Sequence, residues 1–156
     1  LEDAGVALFC YNTHALNLPF EQYENRNLFK VYLLDTGLLC AMWGDKIQWQ
    51  VLNGEIDINE GALTENFVAV ELNKHGHTLH YYDRKSRNEL DFLIREDKKV
   101  TIVEVKSGNN YEQHAALDNV LDEQSEFVER SIVLNKKQYK QVDDITYLPL
   151  YMAMWL

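Results

Sequence analysis

Cysteine is nearly absent from this sequence, with Cys10 and Cys40 the only two. Their spacing is not that of a metal-ligand pair, and so few thiols point to a reducing, cytoplasmic setting. Positive charge is also scarce. The chain carries 25 acidic against 15 basic side chains, a net −10. Residues 1–60 hold 9 acids and 3 bases, a net −6, and residues 61–156 hold 16 acids and 12 bases, a net −4. Neither part has the basic footprint of a strong nonspecific nucleic-acid binder, which weighs against a DNA-processing role. Apolar runs stay far short of the roughly 20 residues that span a bilayer, so no membrane role is expected. No charged-then-apolar leader resembles a signal peptide. No Gly-rich phosphate loop occurs, so the chain is not itself an ATPase. It begins at Leu1 rather than Met and reads as a fragment of a longer protein.

What is present suits a globular domain. Hydrophobic residues make up 46% of 156, enough for one core with a small appendage. Residues 1–44 form a small, incomplete unit. Val6 to Tyr11 and Lys30 to Asp35 are strand-like, Asn12 to Arg26 between them is polar, and Thr36 to Trp43 reads as a short helix stopped by Gly44. Asp35 or Thr36 is its cap. Two readings stand for this unit: the wing of a winged-helix module, or strands that lengthen the main sheet. Residues 45–60 read as a linker. The main domain, 61–156, opens with helical spacing from Ala62 to Lys74, closed by Gly76. Then come strands at His77–Asp83, Asn88–Arg95 and Val100–Lys106, a helix from Glu112 to Phe127, and strands at Ser131–Leu134 and Ile145–Leu148. Pro149 to Leu156 is an apolar closing segment. Helix, three strands, helix, strand predicts an α/β sandwich with a mixed central sheet flanked by helices.

The second and third of those strands carry charge where a buried hairpin should be apolar. If residues 95 and 100 close the turn, Asp91 lies opposite Glu104 and Glu89 opposite Lys106. Regular alternation puts these four on one face with Leu93 and Ile102. Leu90, Phe92, Ile94, Thr101, Val103 and Val105 take the other face. Each charge left unpaired in such a place would cost several kcal/mol. A divalent cation between Asp91 and Glu104, whose Cβ atoms would stand roughly 5 Å apart, is one compensation. A charge lattice is the other, with Glu89 pairing Lys106 and Lys106 also neutralising Asp91 or Glu104.

Glu104-Val105-Lys106 after an acid on the preceding strand resembles the PD-(D/E)xK (restriction-endonuclease-like) nuclease superfamily. Lys30-Val31-Tyr32-Leu33-Leu34-Asp35-Thr36-Gly37-Leu38-Leu39, Gly61-Ala62-Leu63-Thr64-Glu65-Asn66-Phe67-Val68, Glu89 to Ile94 and Glu104 to Gly108 together narrow the resemblance. In that order they are similar to an uncharacterised domain found C-terminal to AAA-type ATPase modules in bacteria and archaea. The resemblance implies a nuclease-like fold and an ATPase module of the same protein as partner. It also implies a Mg²⁺ site at Asp91 and Glu104, joined by Glu65 from the first helix, with Lys106 supporting the attacking water. In those roles Asp91, Glu104 and Lys106 are the catalytic residues of a Mg²⁺-dependent phosphodiesterase on nucleic acid. The proline that often precedes the strand acid is replaced by Leu90. A different class of function is a catalytically idle nuclease fold that serves the ATPase as an interaction or regulatory module. The two differ in what the structure must contain: an open cleft for the first, a pocket closed by salt bridges and an exposed apolar patch for the second.

Weaker candidates are Gln113 at a helix start, His75, His77 and His80 as surface histidines, and two basic clusters. The clusters are Arg84-Lys85-Ser86-Arg87 and Lys136-Lys137 with Lys140, both read as solvated turns. Tyr81, Tyr82 and the tryptophans are assigned to core or interface.

Overall fold

The computed structural model describes residues 5–55, 60–84 and 88–156. Its strands are β1 (Ala7–Thr13), β2 (Glu24–Leu33), β3 (His80–Tyr82), β4 (Leu90–Glu96), β5 (Lys99–Lys106), β6 (Val128–Asn135), β7 (Lys140–Val142) and β8 (Ile145–Pro149). Its helices are α1 (Thr36–Met42), α2 (Asp45–Asn53), α3 (Glu60–Lys74) and α4 (Ala115–Gln124). One mixed sheet joins all eight strands in the order β2-β1-β3-β4-β5-β6-β8-β7. The middle of it, β3-β4-β5, is antiparallel, while β5, β6 and β8 run parallel. At the other end β1 pairs β2 antiparallel and β3 parallel, so residues 7–33 belong to the same sheet.

Both faces of the central strands are covered. Val68, Ala69 and Leu72 of α3 pack with Phe92, Ile94 and Val103 on one face. Leu117 and Val120 of α4 pack with Leu90, Leu93, Val100 and Ile102 on the other. That is why β5 reads as a near-continuous β-branched run, since a strand covered on both sides has no solvent face for polar residues. The predicted succession of helix, three strands, helix and strand is present as α3, β3, β4, β5, α4 and β6.

Several local expectations are corrected. Residues 45–53 of the expected linker form α2, and 56–59 lie outside the described residues. The strand at 77–83 shrinks to three residues, because His77 to Leu79 lead out of α3 after Gly76 (φ +87°) closes it. β7 was not foreseen, since its Lys140-Gln141-Val142 is exposed throughout and shows no apolar alternation. Asp35 caps α1, its Oδ1 accepting from the Leu38 amide at 3.1 Å. No helix among the described residues is long and apolar enough to cross a membrane.

One buried side chain ties the N-terminal strands to the main helix. Asn66 of α3 accepts from the Leu33 amide at 2.8 Å and donates to the Leu33 carbonyl and the Thr36 hydroxyl, each at 3.0 Å. It takes over the backbone pairing of β2 where the strand ends, which fixes how β2 lies along α3. Asn66→Ala should lower unfolding stability by about 2 kcal/mol, because it leaves backbone groups at the end of β2 without partners. Urea denaturation checks this, and a loss near zero would mean that water replaces the clamp.

Candidate functional site

The expected rungs of the hairpin are present: Arg95 pairs Val100, Leu93 pairs Ile102, and Phe92 pairs Val103. The turn itself closes one residue further out, at Glu96 and Lys99, with Asp97 at φ +43°. Past Phe92 and Val103 the strands part, and carboxylates replace the ladder. Asp91 Oδ2 accepts from the Val105 amide at 2.8 Å, and Glu104 Oε2 accepts from the Asp91 amide at 3.3 Å. Each acid therefore satisfies a backbone donor that the splayed strands would otherwise leave unpaired.

A bulge changes the expected facing. On β3, His80 pairs Leu93 and Tyr82 pairs Leu90, so β4 has one residue more than β3 between the two rungs. Leu90 and Leu93 consequently enter the same α4-side core, and Phe92 the α3-side core. Asp91 does not share the face of Leu93, as regular alternation required. It is left where α3 and β2 reach it.

What reaches it is Lys30 of β2. Its Nζ stands 3.0 Å from Glu65 Oε1, 2.7 Å from Glu89 Oε1 and 3.9 Å from Asp91 Oδ1. It also lies 5.1 Å from the centre of the Tyr81 ring, a favourable place for a cation. Tyr32, two residues on and so on the same face of β2, donates its hydroxyl to Glu65 Oε1. Lys106 Nζ bonds Glu104 Oε1 at 2.7 Å. Glu65, Asp91, Glu104 and Lys106 are thus brought to one end of the β4–β5 pair. Glu89, expected opposite Lys106, is held by Lys30 instead. Lys30 and Tyr32 were overlooked as site residues, although a lysine inside an apolar strand was a usable signal.

The electrostatics follow from this packing. Burial, then the carboxylates of Glu104 and Glu65, push the Asp91 carboxyl up to about 8, against the Val105 amide and Lys30. Burial opposes the Lys30 charge, but Glu65, Glu89 and Asp91 outweigh it and hold the ammonium above its usual range. Burial likewise opposes the charge on Lys106, and Glu104 raises it. Burial and Glu65 raise the Tyr32 phenol, keeping it a donor. The oxygens are of the hard type that Mg²⁺ takes. Two ammonium groups lie against them, and among the described residues no three His, Cys, Asp or Glu side chains stand together as a metal-holding group.

The remaining candidates lie elsewhere. Gln113 is exposed at the turn before α4. His80 is buried, not on the surface, with Nε2 3.1 Å from Glu24 Oε2 and its ring 4.8 Å from Phe20. Tyr81 and Tyr82 are in the cores, while Trp49 and Trp155 are each 66% exposed. Of the first basic cluster, residues 85–87 lie outside the described residues.

Two predictions follow from the charges. Asp91 binds a proton in the folded chain up to about pH 8, whereas an unfolded aspartate releases it near 3.8. Between those values folding takes up a proton, so stability falls as pH rises. The melting temperature should fall steadily from pH 5 to about pH 8 and level off above it. Asp91→Asn should flatten that slope, and an unaltered slope would exclude Asp91 as its source. Lys30→Met leaves Glu65 and Glu89 without their shared cation and should destabilise the fold by about 2 kcal/mol in urea, below the cost for a fully buried pair because these groups keep some water.

Comparison with known proteins bears on 60–152, the part that runs from the start of α3 into the closing segment. A family model described as Domain of unknown function (DUF4143) matches those residues. Searches of the curated proteins and of the solved structures found no match.

Proposed function

The chain belongs to the DUF4143 family, and on that premise we propose that it is a nuclease-like module working with an AAA-type ATPase, its carboxylate centre closed by lysines rather than built for turnover. The observation that carries this reading is Lys30, whose ammonium is shared by Glu65, Glu89 and Asp91. With Lys106 on Glu104, both cations of the centre are committed to carboxylates of the chain itself. An exposed apolar stretch is the second support. Leu28, Phe29 and Val31 on the outermost strand β2, with Leu34, Leu38 and Met42 following, are each more than a third exposed. The PD-(D/E)xK kinship rests on Asp91, Glu104 and Lys106 on adjacent strands, after a helix carrying Glu65. The ATPase partner rests on the resemblance of the ordered motifs from Lys30 to Gly108. The acidic balance of −10 argues in the same direction, since a duplex nuclease needs a basic footprint.

A Mg²⁺-dependent phosphodiesterase is the second reading, and the raised Asp91 carboxyl favours it. Excess negative charge at Asp91, Glu104 and Glu65 is what a cation relieves. In that case Asp91, Glu104 and Glu65 would hold the ion, which would supply an activated water and neutralise phosphoryl charge. Lys106 would stabilise the developing negative charge.

Titrating Mg²⁺ and Mn²⁺ into the chain by calorimetry, beside an Asp91→Asn/Glu104→Gln variant, separates the two. The module reading expects no saturable binding by either protein. Saturable binding lost in the variant would replace it with the enzyme, and Lys106→Ala should then abolish cleavage while leaving metal affinity nearly intact.

A further inference from the structure

We propose that β2 is the seam of a two-fold dimer, in which Phe29 and Val31 of one copy pair antiparallel with Val31 and Phe29 of a second copy. The inference deepens the module reading, on which it rests, by naming what the outer strand contacts. β2 is the edge of the sheet, so only its inner side is paired, to β1. Asn66 bonds both the amide and the carbonyl of Leu33, which therefore point away from β1. The Leu34 amide points inward, to the Val6 carbonyl at 3.1 Å. Tyr11, the rung partner of Phe29, gives its amide to the Leu79 carbonyl at 3.1 Å rather than to Phe29. Backbone groups alternate between the two sides of a strand, so those of Phe29 and Val31 point outward with those of Leu33.

Those two residues are the open part of the edge. Toward one end Asn66 occupies the Leu33 groups. Toward the other the ladder jumps from Tyr11–Phe29 to Asn12–Asn25, and Arg26 to Leu28 bulge out of it. A charged side chain on an edge strand ordinarily guards it against pairing, but Lys30 is drawn to the α3 side by Glu65 and Glu89. Phe29 and Val31 lie on the opposite face, each about half exposed. Phe29 is held there by the rings of Phe9 and Tyr11, whose centroids are 5.2 and 6.5 Å from its own.

A second copy fits this opening and closes it. Two open rungs two residues apart match themselves when one copy is turned antiparallel about Lys30, each rung exchanging both backbone hydrogen bonds across a two-fold axis. Phe29 then faces Val31 of the second copy, an aromatic and β-branched pair of the kind sheets favour. Each such rung extends an apolar row that already runs from Phe9 to Val31 on one copy and from Tyr11 to Phe29 on the other. Lys30 falls opposite itself at the axis, with its charge already taken by Glu65 and Glu89. The surface beside the seam is of the needed size. Leu28, Phe29, Val31, Leu34, Leu38 and Met42 are 38–70% exposed along the strand and the helix that continues it. They offer on the order of 500 Å² per copy, and two copies reach the ~1,000 Å² at which specific interfaces begin. Charge permits the approach at this place. Two chains of net −10 repel, yet from Asn25 to Leu34 there are two bases and no acid. A longer strand from another protein would meet Asn66 at one end and the bulge at the other, and would gain no more than these two rungs.

The test is sedimentation equilibrium of the chain from micromolar to millimolar concentration, at low and at high salt. The native chain should show a monomer–dimer equilibrium and no larger species, tightened by salt because screening weakens the repulsion between two acidic chains. Val31→Pro removes an outward amide that β1 does not use, so it should leave the β1–β2 pair intact and weaken dimerisation about tenfold. Phe29→Lys puts a charge into the seam and should weaken it as much, with far-UV circular dichroism checking that both variants fold. Val142→Lys, on the opposite edge strand β7, should change nothing. A monomer at every concentration, a dimer indifferent to both seam variants, a dimer broken by the β7 variant, or open-ended assembly would each overturn the proposal. Saturable Mg²⁺ binding by the native chain would instead fail the module reading, and the sedimentation result would still decide the seam.

Discussion

The ammonium of Lys30 lies within 4 Å of Glu65, Glu89 and Asp91, carboxylates that come from a helix, a loop and a strand. Three acids gathered around one point repel one another, and the most buried of them, Asp91, takes up a proton most readily. A single cation placed among them offsets part of that repulsion. It lets Glu65 accept from Tyr32, leaves Asp91 free to accept from the Val105 amide, and fastens the outer strand β2 to α3 and β4. Asn66 makes the neighbouring neutral tie, so β2 is held at two points along one helix. Placement of the N-terminal strands and composition of the acidic centre are consequently one problem with one solution.

The second constraint is the parting of β4 and β5. A bulge against β3 adds a residue to β4, and the ladder to β5 stops at Phe92 and Val103. Where it stops, Asp91 and Glu104 bond amides of the facing strand. Their other oxygens are left to the lysines. The acids and lysines of this centre have partners inside the chain.

Much of the architecture was legible from pattern. The helical spacing after Gly61, the two adjoining strands, and the register that sets Leu93 against Ile102 could all be read from apolar periodicity and turn residues. The same reasoning lost β7, which carries no apolar period, and α2, whose helix lies in a segment of mixed polarity. It also placed Asp91 on the wrong face, since a bulge is decided by how β4 meets β3 and not by the residues of β4 alone. His80 was misjudged for a similar reason. A histidine beside tyrosines looks polar in one dimension, yet in the sheet it is enclosed by Phe20 and bonded to Glu24.

By itself the sequence determined which chemistry was available: Asp91, Glu104 and Lys106 within one hairpin, Glu65 on the preceding helix, and too little positive charge for a broad nucleic-acid surface. Those are local properties, carried by residue type, spacing and alternation. Only the tertiary structure decided which charge neutralises which. Glu89 stands opposite Lys106 on paper, but it is bonded to Lys30, which is distant in sequence and arrives because β1 joins β2 to β3. Ion pairing follows distance in space, and the distances were set by packing an outer strand across a helix and over a bulge.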